Sequence, residues 1–380
     1  MKKNDITSLI VYALILVGLF CTCYLGVIQN ASSFGMQNSG FLPVGVCLVA
    51  IACSFVVSAI FIELGHVLGA KVGKYDIISF NLLSLTWYKV AGKRKFRFSS
   101  PDGLFGETIV SPRFNEKGES ISKPKAMLWF SNLFLAALII VAAAVYLSFQ
   151  ETRSAVPAAA LVCAVSFGGI LFYNFVPFEL DNKTDGYQLK IVSKPKNIEA
   201  FNELLRVRAC EIENKDPGDI KIFDEITTYT ASINNVAIYK YLGEEKYSEA
   251  LALINKVLEH EKDLPGKMQL EFQTQKLFIL LVTNQIEKAK KFYEDTLSLE
   301  DRRYISNSNS LLFIRTYILV SCYLDPAESE VQYATSKADK AYKKVEALKK
   351  DTEAALYKKA VNIVKEVHPK WEPIIRDEKK

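Results

Sequence analysis

The sequence predicts a mainly α-helical protein with a membrane-embedded first half and a charged, helical second half. Four stretches of the first half are apolar over about 20 residues, which is the length that crosses a bilayer. Lys and Glu are concentrated in the second half, as expected for helices exposed to water. We therefore expect a membrane domain over residues 1–190 and a cytoplasmic helical domain over residues 191–380.

The four predicted membrane helices cover about 6–28, 41–70, 126–149 and 155–178. Lys and Arg are frequent in the loop 71–125, whereas Arg153 is the single basic residue in the other two loops. Because positively charged loops stay in the cytoplasm, both termini are expected there. The sequence thus predicts a multi-pass protein of the cell membrane. Its net charge of +5 is small for its length and gives no reason to expect a nucleic-acid partner.

A small cytoplasmic β insertion is expected over residues 76–112, between the second and third membrane helices. Residues 80–90 and 96–98 are typical of short strands. Residues 101–108 form a predicted turn that contains Gly103 and Gly106.

A polar string, Glu63-Leu64-Gly65-His66, ends the second apolar stretch. A carboxylate and an imidazole at the edge of hydrocarbon are costly to place and therefore indicate a function. The string is close to H-E-x-x-H, in which two imidazoles bind zinc and the Glu acts as base on the metal-bound water. Glu63 and His66 are present, but Ile62 occupies the position of the first His.

A second polar string follows the fourth membrane helix, with Asn174 and Pro177 in the pattern N-x-x-P and then Asp185-Gly186. Together the two strings resemble the site-2 protease family of intramembrane zinc metalloproteases. Members of that family carry H-E-x-x-H on one membrane helix, and N-x-x-P followed by D-G on a later one. The resemblance covers roughly residues 41–190.

The resemblance implies a role for each matched residue. Glu63 is the expected catalytic base, and His66 and Asp185 are the expected metal ligands. Asp181 is the alternative to Asp185, because it lies nearer the usual distance from the N-x-x-P pattern. Asn174 is expected to position the substrate or the tetrahedral oxyanion.

The loop between the two strings has an implied role as well. Relatives with a glycine-bearing strand segment there are thought to lay the substrate alongside it as an added strand. Gly103 and Gly106 are therefore the expected substrate-positioning residues of the loop. The expected partner is a transmembrane or membrane-anchored protein or peptide.

Ile62 offers no lone pair, and a catalytic zinc takes three protein ligands. Cys53 cannot replace the missing His, because it lies on the opposite face of the helix and about 13 Å away along the axis. Glu63 could move in as a ligand, but the base would then be lost. Glu179 or Asp181 could complete a site that is richer in carboxylates.

Three functions stay open on this sequence. The first is a catalytically impaired relative of the site-2 proteases that binds its client at the cytoplasmic face. The second is an active intramembrane zinc metallopeptidase with an unusual third ligand. The third is a non-enzymatic membrane scaffold with a helical docking domain. Zinc is the expected cofactor of the active form, and no cofactor is expected otherwise.

The second half contains three predicted helix pairs, which are 232–243 with 245–260, 267–283 with 285–297, and 310–324 with 328–349. Ala250 and Ala289 occupy matching places, 39 residues apart. The pattern resembles a solenoid of tetratricopeptide-type repeats, whose concave surface binds a protein or peptide. A cytosolic partner of that kind is expected, and an ordinary helical bundle is the alternative fold.

Overall fold

The structure is a computed structural model and describes residues 3–36, 40–90, 93–98, 106–177, 184–213, 215–345 and 347–371. The chain divides into two compact units, Met1–Pro217 and Gly218–Lys380. Both are mainly helical, as the sequence predicts. The division falls later than the predicted boundary near residue 190, because the helix Pro195–Glu213 packs on the sheet of the first unit.

Four helices of the described chain are long and apolar enough to cross a membrane. They are α1 (Lys3–Cys21, continued by the π-helical stretch Thr22–Ile28), α2 (Phe41–Val72), α3 (Pro124–Phe149) and α4 (Ala155–Phe175). The prediction of four helices of membrane-spanning length is confirmed. With 32 residues, α2 is about 48 Å long, whereas the hydrocarbon layer is about 30 Å thick. An end of α2 can therefore extend beyond the hydrocarbon.

Two glycines let α2 approach α3 closely. A Cβ atom added at Gly65 would lie 2.5 Å from the Cα atom of Ser131. One added at Gly69 would lie 2.7 Å from the Cα atom of Met127. Only glycine fits at these two positions, which form a G-x-x-x-G pattern on one side of the helix. The end of α2 that carries the first polar string is thus held against α3.

The β insertion is an antiparallel sheet with the strand order β3-β2-β1-β4. Its strands are β1 (Tyr75–Leu82), β2 (Leu85–Val90), β3 (Lys93–Phe98) and β4 (Gly106–Pro112). The predicted strand segment 80–90 is divided by a two-residue turn at Leu83 and Ser84, whose φ angles are 50° and 70°. The sequence does not reveal this turn, because it lacks the glycine that usually marks one.

Two more helices complete the first unit, α5 (Asp185–Val192) and α6 (Pro195–Glu213). α6 covers one face of the sheet, where its Ala209 packs against Ile109 of β4. The hydroxyl of Tyr75 on β1 donates to Oδ1 of Asn202 on α6 at 2.5 Å, and burial raises the pKa of Tyr75. These buried contacts attach α6 to the first unit.

The described part of the second unit is helical. Its helices are α7 (Thr228–Gly243), α8 (Tyr247–Leu258), α9 (Gly266–Val282), α10 (Ile286–Asp295), α11 (Leu299–Asn307), α12 (Leu311–Tyr323), α13 (Glu328–Ser336), α14 (Ala338–Tyr342) and α15 (Ala347–Val367). The predicted pairs correspond to α7–α8, α9–α10 and α12–α13. The predicted helix 328–349 differs, because it is divided into α13, α14 and the first turn of α15.

The turns of the three helix pairs share one main-chain hydrogen bond. In each, a main-chain amide donates to the carbonyl five residues earlier, at 2.8 to 3.1 Å. The pairs are Lys246 to Tyr241, Gln285 to Leu280, and Asp325 to Val320. Glu245 and Asn284, just before the first two of these amides, both have a φ angle of 57°. Ala250 and Ala289 are fully buried at the matching places in α8 and α10. The first two helix pairs are therefore alike in backbone as well as in sequence spacing, whereas Leu324 at the third turn has a φ angle of −97°.

α12 lies in the core of the second unit, and α15 packs against both α12 and α7. Glu353 of α15 accepts from Nε of Arg315 on α12 at 2.9 Å and from the hydroxyl of Tyr239 on α7 at 2.6 Å. All three side chains are buried. Burial, with the nearby carboxylate of Glu353, raises the pKa of Tyr239 well above its usual value. One acidic residue thus joins three helices.

Candidate functional site

The acidic and imidazole groups of the first polar string lie one helical turn apart on α2. Glu63 is 5% exposed, and its Oε2 lies 3.5 Å from Nδ1 of His66. The imidazole is largely buried as well. A carboxylate at such a place is stable only with partners that satisfy it.

Asp185 reaches the same place from a distant part of the chain. It is the first residue of α5, after the N-cap residue Thr184, and it is 5% exposed. Nε2 of His66 lies 3.1 Å from its Oδ1 and 3.2 Å from its Oδ2. The structure therefore brings Glu63, His66 and Asp185 together in the order carboxylate, imidazole, carboxylate. We name these three residues the polar triad.

Three polar residues of α3 and α4 hold Asp185 in place. Asn174 Nδ2 donates to Oδ2 of Asp185 at 2.7 Å, and the amide of Asp185 donates to Oδ1 of Asn174 at 3.3 Å. The hydroxyl of Ser131 donates to the same Oδ2. Asn132 Oδ1 accepts from Asn174 at 3.2 Å. In this structure Asn174, the expected substrate-positioning residue, fixes the carboxylate of the second string.

The glycine of the D-G pair is required for a steric reason. A Cβ atom added at Gly186 would overlap the carbonyl oxygen of Phe175, at the end of α4. Only glycine lets the start of α5 come this close to α4. The pair Asp185-Gly186 therefore places a carboxylate where the backbone of α5 comes close to α4.

β4 begins beside Glu63, at the opposite end of the polar triad from Asp185. The hydroxyl of Thr108 donates to Oε2 of Glu63 at 2.5 Å. A Cβ atom added at Gly106 would overlap Cγ of Glu63. The strand order gives β4 a neighbouring strand on one side alone among the described residues. Gly106 thus lies at the site, on an edge strand.

The structure does not place several of the predicted site residues in the polar triad. Gly103, Glu179 and Asp181 lie outside the described residues, so their roles stay predictions. Ile62 is half-buried and supplies no donor atom. Cys53 is exposed on α2.

The described residues do not fit a catalytic zinc. Such a site needs three protein donors that converge on one point. Asp185 contacts Nε2 of His66, whereas Glu63 faces Nδ1 on the other side of the ring. Within the described ranges, no group of three His, Cys, Asp or Glu side chains is placed to hold a metal ion. In the polar triad the ring instead pairs with Asp185 through Nε2, while its Nδ1 lies 3.5 Å from Oε2 of Glu63.

Sequence reasoning missed two residues that contact the polar triad, Ser131 and Thr108, and also Asn132, which accepts a hydrogen bond from Asn174. Ser131 and Asn132 are adjacent polar residues inside an apolar membrane helix, and that pattern alone marks them as functional or structural partners. Thr108 carries no such signal, because its contact with Glu63 depends on the register of β4 against β1.

Comparison with models of protein families, with curated proteins and with solved structures found no match to this chain. The resemblance to site-2 proteases therefore stays a prediction that depends on the two polar strings.

Proposed function

We propose that this chain is a catalytically impaired integral membrane protein of the site-2 protease type, which binds a membrane-anchored protein or peptide without cleaving it. The observation that carries the proposal is the polar triad, in which the expected metal ligands His66 and Asp185 contact each other. Ile62 occupies the position of the third expected ligand, the first His of the H-E-x-x-H pattern. The order of the two strings supports the kinship. Ile62 at the position of the first His supports the loss of hydrolysis, because it offers no donor atom.

The surroundings of Glu63 also favour binding over cleavage. Metal-assisted hydrolysis needs a base that is free to take a proton from an activated water. Oε2 of Glu63 already accepts a hydrogen bond from Thr108 and faces the His66 ring. A carboxylate held in this way serves as a structural link between α2 and β4.

The position of β4 supports an extended client. Edge strands accept an added strand through main-chain hydrogen bonds, with side-chain pockets giving specificity. β4 starts at Gly106, against Glu63, so a strand added along it would pass the polar triad. A transmembrane or membrane-anchored protein that unwinds locally beside α2 is the partner that this arrangement favours.

The chain is proposed to be a multi-pass protein of the cell membrane with both termini in the cytoplasm. Four helices of spanning length support the membrane location. The basic residues of the loop 71–125, which contains the sheet, support the orientation. The polar triad and β4 then belong to the cytoplasmic membrane face.

The second unit is proposed to be a docking domain of tetratricopeptide type for a cytosolic protein or peptide. The main-chain hydrogen bond that closes the turns of α7–α8, α9–α10 and α12–α13 supports a repeat architecture. Repeats of helix pairs stack side by side and form extended binding surfaces. The membrane unit would hold a client while the second unit recruits a cytosolic partner.

The zinc content of Ile62→His tests the proposed kinship. We expect the natural chain, purified in detergent, to contain far less than stoichiometric zinc. In Ile62→His the new imidazole stands one turn from His66, so zinc should approach one atom per chain. Adding Asp185→Asn should lower the zinc again. Elemental mass spectrometry measures the zinc content of the natural chain and of the two variants.

Ile60→His is the matched control, since it adds an imidazole to the same helix on another face and should gain no zinc. Stoichiometric zinc in the natural chain, lost in His66→Ala, would favour an active peptidase with a ligand from residues 178–183. If Ile62→His gains no more zinc than Ile60→His, the resemblance to a zinc protease is wrong.

A further inference from the structure

The hairpin formed by β2 and β3 carries exposed aromatic side chains. Trp87, Phe96 and Phe98 are 44%, 49% and 77% exposed. Ring centroids are 5.5 Å apart for Trp87 and Phe96, and 5.3 Å apart for Phe96 and Phe98. Phe80 on β1 continues the row, 5.9 Å from Trp87. We name these four residues the aromatic surface. A contiguous apolar patch of this kind marks an interaction site.

The aromatic surface lies on the side of the sheet that faces α2. Residues paired across antiparallel strands project to the same face, and Phe80 pairs with both Trp87 and Thr108. Thr108 donates to Glu63 near the carboxyl end of α2. The opposite face carries Ile109 and is covered by α6. The exposed rings therefore project on the side of the membrane helices.

The same hairpin is strongly basic. Residues 85–98 contain five Lys or Arg and no Asp or Glu. Arg94 is exposed two residues before Phe96, so it projects on the side of the exposed rings. Lys95 and Arg97 are exposed on the opposite side, where the guanidinium of Arg97 lies 4.9 Å from the centroid of the Tyr88 ring. The charge of Arg94 complements an anionic surface.

We propose that the β2–β3 hairpin lies on the membrane, with the aromatic surface in the headgroup region and Arg94 on anionic lipids. Trp and Tyr accumulate at membrane–water interfaces, and basic residues near the cytoplasmic leaflet bind its negative headgroups. The lipid around the end of α2 is the surface that lies on the side of the exposed rings. This lipid contact goes beyond the proposed client binding and needs neither a client nor a metal.

Fluorescence of Trp87 tests the lipid contact. The chain has three Trp residues, so Trp129→Phe with Trp371→Phe leaves Trp87 alone. The full chain is placed in nanodiscs of phosphatidylcholine, or of equimolar phosphatidylcholine and phosphatidylglycerol. We expect quenching by lipids brominated near the carbonyl group, protection from acrylamide, and both effects stronger in the anionic discs. If the double substitution fails to fold, the difference between the natural chain and Trp87→Phe gives the same signal.

Charge reversal tests the electrostatic part of this lipid contact. Arg94→Glu should weaken the lipid contact about fivefold for the positive charge that it removes, and in anionic discs alone. Lys117→Glu, at an exposed lysine outside the hairpin, should leave Trp87 unchanged. Equal acrylamide quenching of Trp87 in both kinds of disc, without quenching by brominated lipid, would overturn the proposal. Protection that appears only when a membrane-anchored peptide is added would overturn it too, in favour of client contact.

Discussion

At the scale of single residues, the glycines shape the candidate site as strongly as the charged groups do. Gly65, Gly106 and Gly186 each stand where a Cβ atom would collide with another element. These positions set the distances at which Glu63 and Asp185 meet the His66 ring. The charged residues supply the chemistry, and the glycines allow the elements that carry these residues to pack closely.

Gly186→Ala should displace the start of α5. The new methyl group would overlap the carbonyl oxygen of Phe175, so the hydrogen bonds that Asp185 makes with Asn174 and His66 should break. We expect faster amide hydrogen exchange over residues 184–192, measured by mass spectrometry on the full chain. Gly168→Ala on α4 is the matched control, because no heavy atom lies within 4 Å of its added Cβ. Equal exchange in both variants would contradict this packing.

Single residues also show how much of the site can be predicted from sequence. Glu63 and His66 could be named in advance, because ionisable groups beside apolar stretches are rare enough to be informative. Asp185 could be named only through the D-G pair of the family resemblance, with Asp181 as the alternative. Ser131 could have been found by the same argument as Glu63 and His66. Thr108 could not, because its role depends on strand register, which is set by contacts between distant segments.

At the scale of elements, α15 is held by a buried ion pair. Arg315 and Glu353 are 0% and 2% exposed, and the guanidinium also lies 4.0 Å from the centroid of the Phe278 ring. One nitrogen of this guanidinium, Nη1, has no hydrogen-bond partner. Removing the carboxylate would leave a buried charge without compensation, which is far more costly than the net gain from the pair.

Glu353→Ala should lower the free energy that keeps α12, α15 and α7 closed by about 3–5 kcal/mol. Hydrogen exchange of α12 amides in the full chain measures this loss. Glu366→Ala removes an exposed carboxylate from the same helix and should change exchange little. Similar effects of the two substitutions would mean that the buried pair does not hold α15.

At the scale of the whole molecule, composition predicts the coarse fold and leaves the long-range contacts undetermined. The four membrane-length helices and the helix pairs follow from apolar length and helical periodicity. The unit boundary at 217 does not follow from composition, because α6 joins the first unit through contacts with a sheet far earlier in the chain, such as that of Asn202 with Tyr75, 127 residues before it. The contact of α15 with α7 is hidden for the same reason.

The central claim is that this chain holds a client without cutting it. The most direct test is the length of a polypeptide that is crosslinked beside the polar triad. A photoreactive amino acid replaces Leu64, which is 40% exposed on α2 beside Glu63, and crosslinking is done in living cells. The same replacement at Leu48, which is 63% exposed near the other end of α2, is the control. We predict that Leu64 captures a full-length membrane-anchored protein, with or without Glu63→Gln, and that Leu48 does not. Capture of a shortened protein that becomes full-length in Glu63→Gln would contradict the account.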